Sequence, residues 1–287
     1  MKHLVAFIGF GEAAFAIASG LNEEGLTGMI AYDVMQDKEP YASKIRANAA
    51  AANVEIAPSL EAAVEEADFV LSLNSAKVCI DVAKQIVPML KAGQVLCDHN
   101  SAAPTSMEAI GNLEFPEGVL FCDVAMMGSV PAGRHQVKMY LSGNGAQKYY
   151  DAMKPYHVKM TVLDAPAGGA SAIKMFKSVM SKGTPQLILE SLMPAVKFGV
   201  YNEVLAGLGK EESDLQLLIH RTMIHAARRA GEMHDVSETI EAMGLDASMS
   251  RACEKRLNAI GRKDYKFEVP EDTPLPEMLD ILIRDWE

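Results

Sequence analysis

The sequence has no long apolar run and no excess of positive charge. A transmembrane helix needs about 18 or more consecutive apolar residues, and the chain contains no such uncharged run. It has 27 Lys and Arg residues against 38 Asp and Glu residues, which gives a formal net charge of -11. Nucleic-acid binding requires cations that displace counterions from phosphates. We therefore expect neither a membrane-spanning protein nor a nucleic-acid-binding protein.

Cysteines are few and widely spaced. The four are Cys79, Cys97, Cys122 and Cys253, and none forms a CxxC pair. This spacing argues against a zinc site and is typical of reduced thiols in a cytoplasmic protein. We expect no bound metal and a cytoplasmic location. A length of 287 residues suffices for one large or two ordinary domains, each with its own core.

The first motif lies near the N-terminus. Residues 4–8 (LVAFI) form an apolar run that predicts a strand buried on both faces. Gly9, Gly11 and Ala14 follow in the Gly-x-Gly-x-x-Gly/Ala arrangement, which binds dinucleotides when a strand precedes it and a helix follows. Gly9 permits a tight turn, Gly11 leaves room for a pyrophosphate, and Ala14 lets the helix lie close to the strand. The predicted cofactor-binding residues of this motif are Gly9, Phe10, Gly11, Glu12 and Ala13.

Asp33 completes this motif. Residues 28–32 predict the second strand, and Asp33 ends it, 22 residues after Gly11. A carboxylate at this place can accept hydrogen bonds from the adenosine ribose, and its charge opposes a 2′-phosphate. We therefore expect NAD as the cofactor. NADP is the alternative, because Arg46 or Lys44 could hold its additional phosphate.

Polar residues follow two later strands of the same pattern. Up to residue 163 the chain alternates short apolar runs with helical stretches, which predicts a doubly wound α/β sheet, mostly parallel. The carboxyl ends of parallel strands meet at one edge of a sheet, where ligands bind. We therefore expect Leu73, Asn74 and Ser75 to contact the cofactor, and Asn100 and Ser101 to contact the substrate. Asn74 and Ser75 could instead cap the next helix, and the neighbouring His99 is interpreted as structural rather than as a proton shuttle.

Strand patterns end near residue 163, and helical periodicity takes over. We predict a dinucleotide-binding domain over residues 1–165 and an all-helical domain over residues 166–287. The first helix is expected to be interrupted at its two prolines, because proline removes a backbone hydrogen bond. Gly244 is expected to end a later helix. The predicted helices span residues 170–198, 214–243, 247–260 and 275–286.

Residues 168–178 (GGASAIKMFKS) resemble the lysine motif of the β-hydroxyacid dehydrogenases, the family of 3-hydroxyisobutyrate and 6-phosphogluconate dehydrogenases. In that family the lysine faces the substrate hydroxyl, and an asparagine follows four residues later. Lys174 matches the lysine, and Ser178 stands at the asparagine position. The resemblance implies a Rossmann domain followed by an all-α domain, an active site between them, and a homodimer formed through the helical domain.

The resemblance also implies an activity. It predicts hydride transfer between NAD(P) and a 3-hydroxy acid, or a related sugar or polyol acid, with Lys174 and Ser178 as catalytic residues. The chemistry is reasonable on its own terms, because a partly desolvated lysine has a lowered pKa suited to accepting the hydroxyl proton. A β-keto acid product could then lose carbon dioxide. The alternative is that Lys174 simply lies on a solvated helix face.

A second resemblance lies in residues 123–129 (DVAMMGS), which align with the substrate-carboxylate loop DAPVSGG of the same family. It implies that Met127, Gly128 and Ser129 bind substrate, with Met127 at the family's serine position. The change to methionine indicates a bulkier or less acidic substrate than the simple 3-hydroxy acids. Met126 and Met127 could instead serve only in packing.

The last motif is residues 225–235 (HAARRAGEMHD). It resembles the C-terminal domain of phosphogluconate dehydrogenase-like NAD-binding proteins, a branch of the same superfamily. Positions 221, 225, 228, 232 and 235 share one face of the predicted helix. Arg228 or Arg229 could bind a substrate carboxylate or phosphate in bidentate fashion. Alternatively, these arginines form surface pairs with glutamates at four-residue spacing.

Two other functions fit the same pattern. Imine reductases share the architecture implied by the resemblance, although they usually carry Asp or Tyr at the position of Lys174. A regulatory protein that senses NAD without turnover is the second alternative. Activity on hydroxy acids, activity on cyclic imines, or NAD binding alone would separate the three.

Overall fold

The computed structural model describes residues 3–65 and 67–286. These residues divide into two compact units, one up to Lys174 and one from Met175 onward. The predicted boundary, between residues 165 and 166, lies before this division, so the glycine turn and the first residues of the long helix belong to the first unit. Among the described helices, none has both the length and the apolar character of a membrane span.

The first unit contains an eight-stranded sheet in the order β3-β2-β1-β4-β5-β6-β7-β8. Its strands are β1 His3–Ile8, β2 Met29–Tyr32, β3 Val54–Ile56, β4 Ala67–Ser72, β5 Val95–Asp98, β6 Leu120–Met127, β7 Lys138–Ser142 and β8 Met160–Val162. The predicted doubly wound sheet is confirmed. All neighbouring strands are parallel except β6 and β7, which are antiparallel. Only residues 128–137 connect these two, fewer than the dozen or more that a parallel crossover needs.

Helices cover both faces of the sheet. They are α1 Glu12–Glu23, α2 Tyr41–Ala51, α3 Leu60–Glu65, α4 Cys79–Ile86, α5 Pro104–Gly111, α6 Val130–Gly133 and α7 Ala146–Met153. Side chains alternate along a strand, so Val5 and Phe7 of β1 pack in one apolar core while Ala6 and Ile8 pack in the core on the opposite face. The sequence pattern did not predict α5, α6 or α7.

The long helix α8, Gly169–Phe198, begins in the first unit and continues into the second. It is followed by α9 Tyr201–Gly207, α10 Glu212–Ile224, α11 Ala226–Ala242, α12 Ser248–Ile260 and α13 Leu275–Trp286. The predicted all-helical character of this region is confirmed, although α9 was not predicted. Gly244 has φ +73°, and the Leu245 N–H donates to the Ile240 carbonyl at 3.2 Å, so the predicted glycine helix end is correct.

The predicted interruptions of α8 are wrong. The helix is continuous through Pro185 and Pro194. A proline inside a helix costs about 3 kcal/mol, because one backbone hydrogen bond is lost and the ring crowds the preceding turn. Ile188, Leu189 and Leu192 lie in this segment and are buried in the core of the second unit, and their burial offsets that cost.

The predicted single helix over residues 214–243 is also wrong. The chain leaves helical geometry at His225, which has φ -118° and ψ 14° and separates α10 from α11. The His225 carbonyl accepts the Arg229 N–H at 3.0 Å, so His225 is the residue from which α11 starts. Positions 221 to 235 therefore do not form one continuous helix face.

Candidate active site at the carboxyl edge of the sheet

The glycine turn after β1 has the geometry of a phosphate cradle. Gly9 has φ +92°, and a Cβ atom there would lie 2.4 Å from the Leu73 carbonyl oxygen, so only glycine fits. A Cβ atom on Gly11 would meet nothing within 4 Å, and no side chain caps the N-terminus of α1. The first amides of α1 therefore face open space, which suits the pyrophosphate of a dinucleotide.

Asp33 joins the end of β2 to this turn. Its Oδ2 accepts the Phe10 N–H and its Oδ1 accepts the Met35 N–H, both at 2.8 Å. A carboxylate has about four acceptor positions, so each oxygen retains capacity for a ribose hydroxyl. Arg46, which could serve a 2′-phosphate, pairs with Glu39 at 3.1 Å. The residues around the turn thus fit a dinucleotide, and the Asp33 carboxylate is hydrogen-bonded to the turn.

A cavity of about 490 Å³ lies at the carboxyl edge of the sheet, within the first unit. Ten of the predicted site residues line it: Glu12, Ala13, Leu73, Asn74, Ser75, Asn100, Ser101, Gly128, Ser129 and Lys174. They come together because β1, β4, β5 and β6 end at the same edge and α8 starts beside it. The size is that of a small-molecule site.

Lys174 lies in the second turn of α8. Its Nζ donates a hydrogen bond to Ser101 Oγ, with 2.7 Å between the two atoms. The start of this helix requires two glycines. Gly168 has φ +94°, and a Cβ atom on it would lie 2.8 Å from the Pro104 carbonyl oxygen, while a Cβ atom on Gly169 would lie 2.6 Å from the Ala165 Cβ. The glycine turn therefore lets α8 begin close to α5, which brings Lys174 to the cavity.

Asp123 holds the first turn of α8, a role that the sequence pattern did not predict. This carboxylate on β6 is fully buried. Its Oδ2 accepts the Gly168 N–H at 3.1 Å, the Ser171 N–H at 3.0 Å and the Ser142 hydroxyl at 3.1 Å, and its Oδ1 accepts the Ser171 hydroxyl at 2.7 Å. Burial raises the pKa of Asp123, and the hydrogen bonds from Ser171, Ser142 and Gly168 oppose that rise. The available signal was an acidic residue inside an otherwise apolar strand.

A second buried carboxylate, Asp98, fixes the polar residues after β4 and β5. The Asn100 amide donates to Asp98 Oδ1 at 2.9 Å and to Ser72 Oγ at 3.0 Å, and the Asn74 amide donates to the same Ser72 oxygen at 3.1 Å. Burial raises the pKa of Asp98 to about 6. The two asparagines that line the cavity therefore share one hydrogen-bonded support.

Two family models match parts of the chain. Residues 4–101 match the family described as NADP oxidoreductase coenzyme F420-dependent, and residues 195–260 match a domain of unknown function, DUF1932. Across the whole chain, the structure is similar to that of a conserved hypothetical protein from Sinorhizobium meliloti 1021. The two are 30% identical, the match covers 99% of this chain and 97% of the other, and the TM-score is 0.90.

Two further solved structures connect the fold to dehydrogenases. One is a conserved protein of unknown function with structural similarity to 3-hydroxyacid dehydrogenases; it is 26% identical over 90% of this chain and 96% of its own, with a TM-score of 0.77. The 3-hydroxyisobutyrate dehydrogenase of Mycobacterium tuberculosis shares the fold, with 16% identity over 98% and 99% of the chains and a TM-score of 0.74. The chain belongs to the β-hydroxyacid dehydrogenase superfamily. It is thus an oxidoreductase with a nicotinamide cofactor.

The substrate loop departs from the superfamily pattern in the structure as well as in the sequence. Met127, at the superfamily's serine position, pairs with Lys138 across β6 and β7 and is not among the residues that line the cavity. Met126 lines the cavity instead. Further lining residues that the sequence pattern did not assign to the site are Ala76, Val130 and Pro131, and the last two could have been found because they directly follow the glycine loop.

His99 also lines the cavity, but its contacts are structural. Its ring is buried, with Nε2 3.2 Å from the Tyr149 hydroxyl and Nδ1 3.3 Å from the Cys97 carbonyl oxygen. Burial lowers the pKa of His99 to about 4, so the ring is neutral at ordinary pH. This environment supports the structural interpretation over that of a proton shuttle.

Two further predicted site residues, Ser178 and Arg228, lie in the helical second unit. Ser178 Oγ accepts a hydrogen bond from Lys182 Nζ at 2.9 Å. Arg228 pairs with Glu232 one turn along α11, which is the surface pairing at four-residue spacing that the sequence left open as an alternative. Glu232 also pairs with Lys182 at 2.9 Å. Neither residue lines the cavity of the first unit.

Proposed function

We propose that this protein is an NAD-dependent dehydrogenase of 3-hydroxy acids or related sugar and polyol acids, with Lys174 as the general acid and base. The observation that supports this most strongly is the 2.7 Å hydrogen bond between Lys174 Nζ and Ser101 Oγ at a cavity next to the glycine turn. A proton-transfer group must lie within hydrogen-bond reach of the reacting hydroxyl. A substrate hydroxyl in this cavity would take a place beside these two atoms.

The proposed oxidation needs one acceptor for the hydride and one for the hydroxyl proton. A nicotinamide cofactor bound at the glycine turn would supply the hydride acceptor. As the C–H hydride leaves the substrate carbon, the neutral amine of Lys174 accepts the hydroxyl proton, and a carbonyl group forms. In the reverse direction the Lys174 ammonium donates that proton to the carbonyl oxygen. Ser101 holds the amine in place, and it would share the hydroxyl proton through its own Oγ.

Substrate recognition is proposed for the polar groups around the lysine. Asn100 is fixed by Asp98 and Ser72, so its orientation is set before a ligand binds. The loop at Gly128 and Ser129 offers backbone N–H groups to a carboxylate, and the Gly128 φ of +125° is open to glycine only. Ser178 and Arg228 belong to the second unit and do not line this cavity, so they have no part in the recognition proposed here.

The preference for NAD is proposed from Asp33. Its carboxylate is held by two backbone N–H groups, so it cannot easily move away from an approaching 2′-phosphate. Arg46, a candidate partner for that phosphate, is paired with Glu39. Both features favour a ribose with free hydroxyl groups.

We also propose a homodimer formed through the helical unit, in the cytoplasm. Several large apolar side chains of this unit are exposed, among them Met180, Leu187, Phe198 and Phe267. We propose that these side chains are covered in the dimer, because exposed apolar surface is typical of association surfaces. Sedimentation equilibrium would show a dimer, and a monomer at all concentrations would contradict this part of the proposal.

The test is a screen of hydroxy acids, sugar acids and their phosphates with NAD and NADP in parallel, followed by Lys174→Ala. Loss of the proton-transfer group should lower kcat by at least about a hundredfold while the affinity for NAD stays near normal. Lys177→Ala is the matched control, because this exposed lysine lies one turn further along the same helix. It should keep nearly full activity.

The other outcomes are equally informative. Weak NAD binding with intact turnover in Lys174→Ala would contradict the assigned role. Reduction of cyclic imines without turnover of any hydroxy acid would favour an imine reductase. Retained NAD affinity with no activity on any substrate, unchanged by Lys174→Ala, would favour an NAD-sensing protein.

A further inference from the structure

The junction between α10 and α11 concentrates positive charge. Arg221 lies in the last turn of α10, His225 forms the break, and Arg228 and Arg229 lie in the first turn of α11. The break turns Arg229 back toward α10, where its Nη1 donates a hydrogen bond to Thr222 Oγ1 at 2.9 Å. The Thr222 hydroxyl in turn donates to the Leu218 carbonyl at 2.8 Å. The Arg229 guanidinium is therefore held in place beside the junction.

The cations at this junction are close enough to repel one another. The pKa of Arg229 is lowered, first by burial and then by the charge of Arg228; the charge of Glu232 opposes this lowering, and that of Arg221 adds to it. Lys266 belongs to the same group, since burial and then the charges of Arg228, Arg229, His220 and Lys266 lower the pKa of His225. We call Arg221, His225, Arg228, Arg229 and Lys266 the junction cluster.

Few carboxylates balance the junction cluster. Within residues 3–65 and 67–286, Arg221 and Arg229 form no ion pair, and the one carboxylate bound to Arg228 is Glu232, which Lys182 shares. Arg251 in the same unit is the opposite case, because Glu238, Glu241 and Glu254 all bind it. A local surplus of cations costs stability through repulsion, even in a chain of net charge -11, and a bound anion would relieve that cost.

We propose that the junction cluster binds a phosphate group, either free or as a phosphate monoester. Arginine recognises phosphate through paired N–H donors, and a phosphate monoester carries nearly two negative charges on three acceptor oxygens. That charge matches several guanidinium groups better than a single carboxylate would. The half-buried Arg229, held by Thr222, gives the site its orientation, and the exposed Arg221 and Arg228 supply further contacts. This site is independent of the proposed dehydrogenase function.

The experiment measures phosphate binding by isothermal titration calorimetry at constant ionic strength, with the full-length protein. Inorganic phosphate should bind saturably, and Arg229→Gln should weaken its affinity by at least about tenfold. Arg221→Gln should do the same; it serves as the second variant because Arg221 lacks the bond to Thr222, so its loss leaves the junction intact. Arg251→Gln is the matched control and should bind phosphate as the wild type does.

Competition experiments with two compounds distinguish a phosphate monoester from free phosphate as the ligand. A phosphorylated sugar acid that competes with inorganic phosphate, while its unphosphorylated counterpart does not, would support a monoester as the ligand. Competition by neither compound, with phosphate binding still lost in Arg221→Gln, would support free phosphate. Absence of saturable binding, equal affinity in the wild type and both junction variants, or an equal loss in Arg251→Gln would overturn the proposal. Each result stands whether or not hydroxy acids are turned over.

Discussion

The two units of the molecule hold their charged groups differently. In the first unit, Asp98 and Asp123 are buried carboxylates, and each accepts several hydrogen bonds from groups that shape the cavity. In the second unit, the charges of Arg228 and Arg251 form ion pairs with glutamates on neighbouring helical turns and helices. Buried carboxylates are costly unless fully satisfied, whereas surface ion pairs contribute little. The two buried carboxylates of the first unit therefore fix local structure, whereas the ion pairs of Arg228 and Arg251 in the second unit contribute little to it.

The largest expected effect tests this contrast at Asp123. Asp123→Ala leaves the Gly168 N–H, the Ser171 N–H and the Ser171 hydroxyl without their acceptor in a buried place. Breaking a buried network of this kind costs about 4 kcal/mol of unfolding free energy. Urea denaturation followed by circular dichroism measures this loss.

A matched pair of variants sharpens the comparison. Arg251→Ala also removes a side chain with several partners, but two of them, Glu238 and Glu241, are exposed glutamates, and its unfolding midpoint should stay close to that of the wild type. Asp123→Asn keeps one acceptor oxygen and should fall between the two. An equal loss in Arg251→Ala and Asp123→Ala would show that the contrast between buried and surface charge is wrong.

The second effect concerns pH. Burial raises the pKa of Asp98 from 3.8 to about 6 and lowers that of the adjacent His99 from 6.5 to about 4. The folded state thus holds the Asp98 proton more tightly than the unfolded chain does, so this contribution to stability is present below pH 4 and is lost as the pH rises to 6. For His99 the folded state holds the proton less tightly, so its contribution is present above pH 6.5 and is lost as the pH falls to 4.

These two contributions oppose each other over the same range, and each amounts to about 3 kcal/mol. Relative to the wild type, His99→Gln should therefore lose stability as the pH rises from 4 to 6, while Asp98→Asn should gain it. Denaturant unfolding at several pH values measures both differences, and groups common to all three proteins cancel. Slopes of the same sign in the two variants would contradict the assigned burial of one of them.

The sheet and its ligand edge could be predicted because their signals are local. Apolar runs bounded by glycine and polar residues mark the strands, and residues such as Asn74 and Asn100 then reach one edge by topology alone. The role of Asp123 could not be predicted, because its partner Ser171 lies 48 residues along the chain. The predictions of where helices break were wrong for a different reason. His225 carries no strong stop signal, and Pro185 carries one that the packing of Ile188 and Leu189 overrides.

The smallest of these effects concerns Asp33. Its carboxylate is only partly buried and accepts two backbone N–H groups, so it is intermediate between the buried Asp123 and the exposed ion pairs of Arg251. Asp33→Asn removes the charge and retains one acceptor oxygen. The affinity for NADPH should rise and that for NADH should fall, each by about tenfold, since a charge a few ångströms from a phosphate contributes roughly 1 to 2 kcal/mol near a protein surface. Fluorescence titration with both reduced cofactors measures the change, and Glu39→Gln, which frees Arg46, is the control that tests the phosphate side of the same site. If Glu39→Gln alone shifts the preference and Asp33→Asn does not, then the availability of Arg46, and not repulsion by Asp33, sets the cofactor choice.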